Sequence, residues 1–467
     1  MATWYSQGSG LWSTLSNWND AADGSGSAPG SIAAFDDSPV VIQAGHVVEF
    51  DVEDAVACDG SISGWTTGIA GITVTSAAAG NTPGELKLTA TANSANRVYG
   101  LRIKASSKIV GTNAAVLGKV TGGTESVPIP TDAVHIIQFL DPTTTGGFDL
   151  TYLSLALYCS APAETIYVTT AAAGVGDSVL SVQGRLTSCN PNTDTAEWQV
   201  GREVLVVRTT SAGVNTQTTT ISAVGDGTIT LADNLTVAKP AGSYVVLTQR
   251  NIEIRDATTS TTGANTMLVY GGTGAVLDCA MRRLPATKTG LYGIYYGTSH
   301  TVQGAAVISG CTYGIRVGTS HIVQDSAVIS GCSYGIHGGT SHIVQGSAAI
   351  SGCAYGIHGG TSHIVQGSAA ISGCTTGINS GTSNIVQGSA VISGCLNGIY
   401  SGTSHTVQGS TTISGCTYGI YRAANAYVAD TATVSSNTTY CRVDSADARV
   451  FRFAPTQSST DAYKCYN

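Results

Sequence analysis

From Gly297 to Arg422 the chain repeats one 21-residue unit six times without an insertion, as in GTSHIVQGSAAISGCAYGIHG from Gly339 to Gly359. A period kept this strictly makes each copy one supersecondary unit that packs on its neighbours, so the segment is a solenoid. The unit has no apolar spacing of three and four residues. Its Val, Ile and Thr residues are parted by Gly-rich corners, Gln-Gly-Ser, Ser-Gly-Cys and Gly-Gly-Thr. Short strands joined by tight turns are therefore expected.

Positions that do not vary from copy to copy are expected to point inward, because a packed interior tolerates little change. They form three rows: Val302, Val323, Val344, Val365, Val386 and Val407; Ile308, Ile329, Ile350, Ile371, Ile392 and Ile413; Ile315, Ile336, Ile357, Ile378, Ile399 and Ile420. Three inward rows per unit imply three short strands per coil. The expected fold is all-β, a single-chain parallel β-helix in which each strand pairs with its own copy one coil away. At a strand spacing of about 4.8 Å, six coils make a rod of roughly 29 Å.

Each copy carries Ile-Ser-Gly-Cys followed by Gly-Ile, and this rhythm resembles the Ile-x-x-Asn, Gly-Ile pattern of right-handed β-helices of the pectate-lyase type. Two decayed copies extend it. Thr289 to Ile294 matches the end of a unit, and Val428 and Val434 fall in register with the Val and Ile rows. The resemblance implies a fold and leaves activity open, since enzymes and inert stalks both use it.

A chain of 467 residues with 42% hydrophobic residues is long enough for two or three domains. Only 11% of residues are charged, and 58 Gly accompany abundant Ser, Thr and Ala, which fits a regularly stacked β protein. The net charge of −8 comes without a Lys/Arg cluster, so nucleic acid is not an expected partner. Met1 to Ser6 shows neither a basic leader nor an apolar core, and no 18-residue apolar run follows. Synthesis in the cytoplasm, no secretory signal and no membrane insertion are expected. Six of the twelve Cys recur at the repeat period, Cys311, Cys332, Cys353, Cys374, Cys395 and Cys416, and read as a ladder of small buried thiols.

In chain order, residues 1–130 are expected to form an N-terminal β domain, the candidate attachment end, or the first coils of a wider, irregular helix, and they open with Trp4, Trp12 and Trp18. Residues 131–264 read as a second β-rich domain or as irregular β-helix coils. Its strands stand at hairpin-like spacing: Trp198 to Arg208, Thr218 to Val224, Gly227 to Leu231 and Tyr244 to Ile254. The polar stretch Thr258 to Gly263 reads as a linker, 265–296 as lead-in coils, 297–422 as the six repeats, and 423–467 as a degenerate repeat and C-terminal cap.

The segments VVIQAGHVVEFD, WQVGREVLVV, TTTISAVGDGTITLADNL and LTQRNIEI, in that order, resemble the domain named for its eight glycines. That domain precedes β-helices in cell-surface hyaluronan-processing proteins and in phage and bacterial proteins. The resemblance implies an N-terminal β domain of a surface protein, and no catalytic residue is carried over from it.

A glycosidase needs two carboxylates a few ångströms apart, and a lyase needs a base with a metal or Arg. Between Gly297 and Arg422 the only carboxylate is Asp325 and the only Arg are Arg316 and Arg422, so no catalytic residue is assigned there. Glu253, Asp256 and Asp278 precede the repeats and could meet in space, but isolated loop carboxylates are mostly solvated, and they are read so. His300, His321, His342, His363 and His405, broken by Asn384, form a line, whereas a metal needs ligands converging on a point. They read as a hydrogen-bonding corner ladder, as does the Gln row from Gln303 to Gln408. No metal or other cofactor is expected.

The residue after each Gly-Ile varies: Tyr295, Arg316, His337, His358, Asn379, Tyr400 and Tyr421. This row is expected to face outward. Its mixture of aromatic and planar polar groups is what a sugar-binding face uses. The features converge on a non-enzymatic virion surface protein of a phage, a tail fibre or tailspike-like stalk or a capsid decoration protein, homotrimeric and in contact with other virion proteins and a cell-surface glycan. The alternatives are a polysaccharide depolymerase on a β-helix and a bacterial surface or filament-forming protein.

Overall fold

Each 21-residue copy folds into three short strands, and each strand pairs in parallel with the same strand of the next copy. Thus Ile322–Val323 lies beside Ile343–Val344, Val328–Ser330 beside Ala349–Ser351, and Tyr334–His337 beside Tyr355–His358. The computed structural model describes the chain except residues 1, 54–67, 89–96, 105–106, 130–132, 141–146, 160–164, 186–197, 209–215, 257–265, 284–290, 430, 436, 443–449 and 453–467. It divides into two units, Met1–Ser160 with Arg250–Thr301, and Ala161–Gln249 with Val302–Asn467.

In the second unit the three constant rows are the core: Val323, Ile329 and Ile315 are all fully buried, as are their counterparts in the other copies. Chain direction changes at corners where non-glycine residues take positive φ, such as Ser341 (φ 55°) and Ser362 (φ 58°). Another such corner follows each Tyr-strand. There Gly338 and Gly359 adopt φ of 67° and 66° freely, whereas Val317 is held at 52° against the steric preference of a β-branched residue. Beyond Arg422 the three stacks continue. Ala426–Val428, Thr433–Ser435, Thr439–Arg442 and Val450–Arg452 pair on the preceding coil, with Val407 opposite Val428 and Ile413 opposite Val434. Of residues 423–467, where a degenerate repeat and closing cap are expected, 453–467 lie outside the described residues.

The same unit contains a closed barrel of antiparallel strands. Its order is Ile166–Thr169, Val179–Gly184, Thr228–Leu231, Thr216–Gly225, Glu203–Val207 and Tyr244–Leu247, which pairs back on the first. Alternation explains how one strand serves two cores. Val204 and Val206 point into the barrel with Tyr167, Leu180, Trp198 and Val245. Leu205 and Val207 point out and join Ile166 and Val246 against Val307, Val328 and Ala349 of the coils. Burial on both faces explains the unbroken apolar run from Val204 to Val207.

The first unit is also built of parallel stacks, beginning at residue 4. Trp4–Ser6 pairs with Val40–Ile42, which pairs with Ile72–Val74 and then Ile109–Gly111. A second stack joins Val47–Phe50, Glu85–Leu88, Gly118–Gly122 and Leu153–Leu157. A third joins Arg97–Ile103, Ala133–Phe139, Ile252–Asp256 and Ala280–Arg283. Trp12, Trp18, Phe35 and Phe50 are fully buried together, with ring centroids 4.7 to 5.4 Å apart.

The division expected at residue 130 therefore falls inside a series of stacked coils. The segment expected as one domain over 131–264 is shared between coil strands and the barrel. Tyr244 to Ile254, expected as one strand, is two: Tyr244–Leu247 belongs to the barrel and Ile252–Asp256 to the coils. The segments that resemble the eight-glycine domain are split in the same way. The proposed linker Thr258 to Gly263 lies outside the described residues. The chain is a parallel β-helix protein.

Candidate functional site

The strand Tyr334–His337 and its copies present two outward rows. The ladder pairs Tyr313 with Tyr334, Ile315 with Ile336 and Arg316 with His337, and skips the glycine between. A Cβ on Gly314 would lie 2.6 Å from the Gly335 carbonyl oxygen and 2.7 Å from Ile329 Cγ2, so only glycine fits there. The skip breaks strict alternation and lets the residues on both sides of the Gly-Ile pair reach the outer surface.

The outer row is the expected one. Arg316, His337, His358, Asn379, Tyr400 and Tyr421 stand in register on successive coils. All are half-buried except Asn379, which is buried. Tyr295 belongs to the first unit, where it stacks on Tyr292 at 5.0 Å. Sequence reasoning missed the inner row: Tyr313, Tyr334, Tyr355, Thr376, Asn397 and Tyr418. Period-2 alternation would have turned these inward with the Ile two residues on. The available signal was their own variation from copy to copy.

The rings form stacks along the rod. Tyr313 and Tyr334 are 4.9 Å apart and 7° from parallel, Tyr334 and Tyr355 5.2 Å and 13°, and His337 and His358 5.0 Å and 5°. The two rows meet edge to face, with Tyr334 4.9 Å from His337 and 5.1 Å from His358. Arg316 lies over the Tyr313 ring at 4.8 Å and Arg422 over Tyr421 at 4.9 Å. Burial, with the neighbouring imidazole and Arg316, lowers the pKa of His337; burial also lowers that of His358. Near neutral pH this face offers uncharged imidazoles, phenols and amides between two guanidinium groups.

The other repeated rows are held within the protein. His321, His342 and His363 are buried and stack at 4.9 Å, and the backbone N–H of His321 donates to His342 Nδ1 at 3.1 Å. The backbone of His342 donates to His363 Nδ1 in the same way, and that of His363 to Asn384 Oδ1 at 3.1 Å. The asparagine thus supplies the same acceptor as an imidazole nitrogen, which accounts for its place in the row. His300 Nε2 donates to Gly271 O at 2.8 Å, and His405 Nε2 to Ser401 O at 3.0 Å. Burial lowers the pKa of His363 to about 4 and, with the adjacent imidazoles, that of His342 to about 2.

Cys311, Cys332, Cys353, Cys374, Cys395 and Cys416 are buried free thiols, each donating to the carbonyl of the Ser two residues earlier at 3.4 to 3.6 Å. The adjacent thiol of the ladder and burial push the pKa of Cys332 to Cys395 upward. Gln345, Gln366, Gln387 and Gln408 each donate to the Gln one coil earlier at 2.8 to 3.0 Å. They and the following glycines line a shallow trough of about 540 Å³. Among the described residues no group of three His, Cys, Asp or Glu is placed to hold a metal.

The carboxylates expected as solvated loop groups are instead buried. Glu253 sits on a coil strand, 2.7 Å from Arg282 Nε and 3.5 Å from Arg255 Nη1, and Asp278 is 3.5 Å from Arg250 Nη1. Burial alone would raise the pKa of Glu253, but Arg282 and Arg255 outweigh it and keep the carboxyl below its usual range. The low dielectric that penalises an isolated charge strengthens each of these pairs.

No protein-family model matches the sequence, and no curated protein matches it. Solved structures do. The tailspike gp61 of Pseudomonas phage phi297 is 8% identical, covers 79% of this chain and 71% of its own length, and has a TM-score of 0.21. The gp54 tailspike of Acinetobacter baumannii bacteriophage AP22, solved with an A. baumannii capsular saccharide, is 10% identical over 77% of this chain and 71% of its own, with a TM-score of 0.22. The tailspike protein gp49 of Pseudomonas phage LKA1 is 11% identical over 84% and 73%, with a TM-score of 0.18. TM-scores this low transfer no residue, ligand or assembly state from those proteins to this chain. Among the described residues no helix is long and apolar enough to cross a membrane.

Proposed function

We propose that this protein is a non-enzymatic structural rod of a virion surface that holds a host-surface glycan along the outer face of its tyrosine strands. The observation that carries the reading is the pair of in-register rows, one of tyrosines and one of planar polar groups, on that face. Pyranose rings offer flat C–H faces that pack on aromatic rings, while their hydroxyls seek amide, imidazole and guanidinium partners. Repetition at about 4.8 Å per coil supplies several such contacts to one extended chain, and each adds to the binding of the others. The rigid stack, the low charge and the unbroken period suit a stalk.

Cleavage is not part of the reading. Glu253 and Asp278 are each held against arginine, whereas an acid–base pair needs two carboxyl groups of different pKa open to substrate. The test is binding of the full chain to an array of bacterial surface polysaccharides and oligosaccharides, followed by product analysis of each bound glycan. Retention without shortening is expected. Release of shorter oligosaccharides would make the protein a depolymerase, and no retention at all would remove the glycan reading.

A further inference from the structure

Both outward rows are interrupted at the same place. The tyrosine stack that runs through Tyr313, Tyr334 and Tyr355 stops at Thr376 and Asn397, and a ring returns at Tyr418. The imidazole stack of His337 and His358 stops at Asn379, after which Tyr400 follows. Thr376, Asn379 and Asn397 are 3%, 8% and 9% exposed, so the short side chains lie at the bottom of a gap whose half-exposed walls are Tyr355 and His358 on one side and Tyr400 and Tyr418 on the other. Three coil steps separate Tyr355 from Tyr418, roughly 14 Å, of which the two rings' own thickness takes about a quarter. What remains admits one or two sugar rings edge-on.

The floor is polar and partly committed. Asn397 Nδ2 donates to Thr376 Oγ1 at 3.3 Å, and Ser380 Oγ donates to Asn379 Oδ1 at 2.9 Å. Those bonds fix both amides in orientation. They leave Asn379 Nδ2 as a donor and Asn397 Oδ1 as an acceptor with no hydrogen bond to another described residue. Tyr355 stacks on Tyr334 through one face, and the coil beyond it offers Thr376 in place of a ring. A ring seated on that second face continues a stack whose spacing the protein already sets at about 5 Å. Among the wall and floor residues there is an imidazole, His358, but no carboxylate, lysine or arginine; Arg422 Nη1 donates to the hydroxyl of the wall residue Tyr400 at 3.3 Å.

We infer that this interruption is a dedicated subsite for an uncharged pyranose residue, stacked on Tyr355 and hydrogen-bonded through its hydroxyl or acetamido groups to Asn379 and Asn397. The inference rests on the glycan-binding reading and narrows it to one place and one class of sugar. It gives the two coils a purpose that a drifting surface would not require, because donor, acceptor and stacking face converge there.

The neighbouring coils supply the test. Thr376→Tyr with Asn397→Tyr installs the residues that four other coils carry at that position, so the fold is preserved and the gap is filled. The full-length protein and this variant are titrated by calorimetry and saturation-transfer NMR with chitohexaose, maltohexaose and cellohexaose, and with the glycans the array retains. A second variant, Asn379→His, replaces the floor amide by the larger ring used at His337 and His358. Affinity for a neutral oligosaccharide is expected to fall at least tenfold in both, with melting temperatures unchanged and saturation transfer strongest at a single sugar residue. Binding that survives both variants and is lost in Tyr313→Ala with Tyr334→Ala would overturn the subsite while keeping the glycan-binding face. Strict preference for acidic glycans would also overturn it, and absence of binding to every probe would overturn both readings.

Discussion

The buried imidazole ladder makes stability depend on pH in a direction that can be worked out. His342 and His363 are neutral in the folded coils, with pKa values lowered to about 2 and about 4. In the unfolded chain an imidazole titrates near its ordinary value of about 6.5. Between the folded and unfolded values the unfolded chain binds more protons, so stability is full above pH 6.5 and falls as the pH drops below it. Each unit of pH costs about 1.4 kcal/mol per histidine, so the 1.5 units from 6.5 to 5 cost about 2 kcal/mol for each of the two, or about 4 kcal/mol together. Most carboxylates remain ionised at pH 5, which isolates the histidines. The assay is urea unfolding of the full chain at pH 7.5 and pH 5, compared with His342→Asn/His363→Asn. That double variant copies what Asn384 already does in the row, so its stability at pH 7.5 is expected to stay within about 1 kcal/mol of the parent. Its loss between pH 7.5 and 5 is expected to be smaller by about 4 kcal/mol. Equal acid losses in parent and variant would refute the argument.

Other perturbations follow from the same coils. Val317→Gly relieves a β-branched residue at φ 52° where the next coils use glycine, and is expected to stabilise by about 1 kcal/mol in urea melts. Gly356→Ala places a methyl 2.6 Å from the Gly377 carbonyl oxygen and 2.7 Å from Ile371 Cγ2, and is expected to cost more than about 2 kcal/mol. Trp12→Ala empties a fully buried ring site among Trp18, Phe35 and Phe50 and is expected to cost about 3–5 kcal/mol, seen as a lowered melting temperature. Cys332, Cys353, Cys374 and Cys395 are buried thiols with raised pKa, so alkylation of the native protein at pH 8 is expected to leave all four unmodified by mass spectrometry, and alkylation in urea to label them.

How far the sequence could be read depended on whether one coil repeats another. Where it does, from Gly297 to Arg422, comparison of copies separated inner from outer positions, and Val323, Ile329 and Ile315 stand in the core as their constancy implied. In the first unit the step from coil to coil varies, from Val40 to Ile72 and then from Ile72 to Ile109. Loops of unequal length hide such a period, so the sequence there leaves a β domain and the first coils of an irregular helix as alternative readings. Val204 to Val207 is apolar on both faces, which marks a strand and says nothing of the barrel it closes. The tyrosine row escaped notice because a glycine skips one place in the ladder, a steric event invisible to an alternation rule. The buried carboxylates were misjudged for a related reason: Arg282 and Arg250 are distant in sequence from the groups they neutralise.

Because every coil from Gly297 to Arg422 has a near-copy of itself on each side, the gene encoding it is open to length change by unequal recombination. Excising the codons for residues 339–359 joins Gly338 to Gly360 with each ladder still matched to a partner of the same kind. Such an event shortens the stack by about 4.8 Å and shifts nothing within the coils that remain. The same step deletes Tyr355 and His358 and brings Tyr334 and His337 into their places beside Thr376 and Asn379, so the gap again has a tyrosine and an imidazole on that side. A population can therefore adjust how far this face reaches without redesigning what it grips.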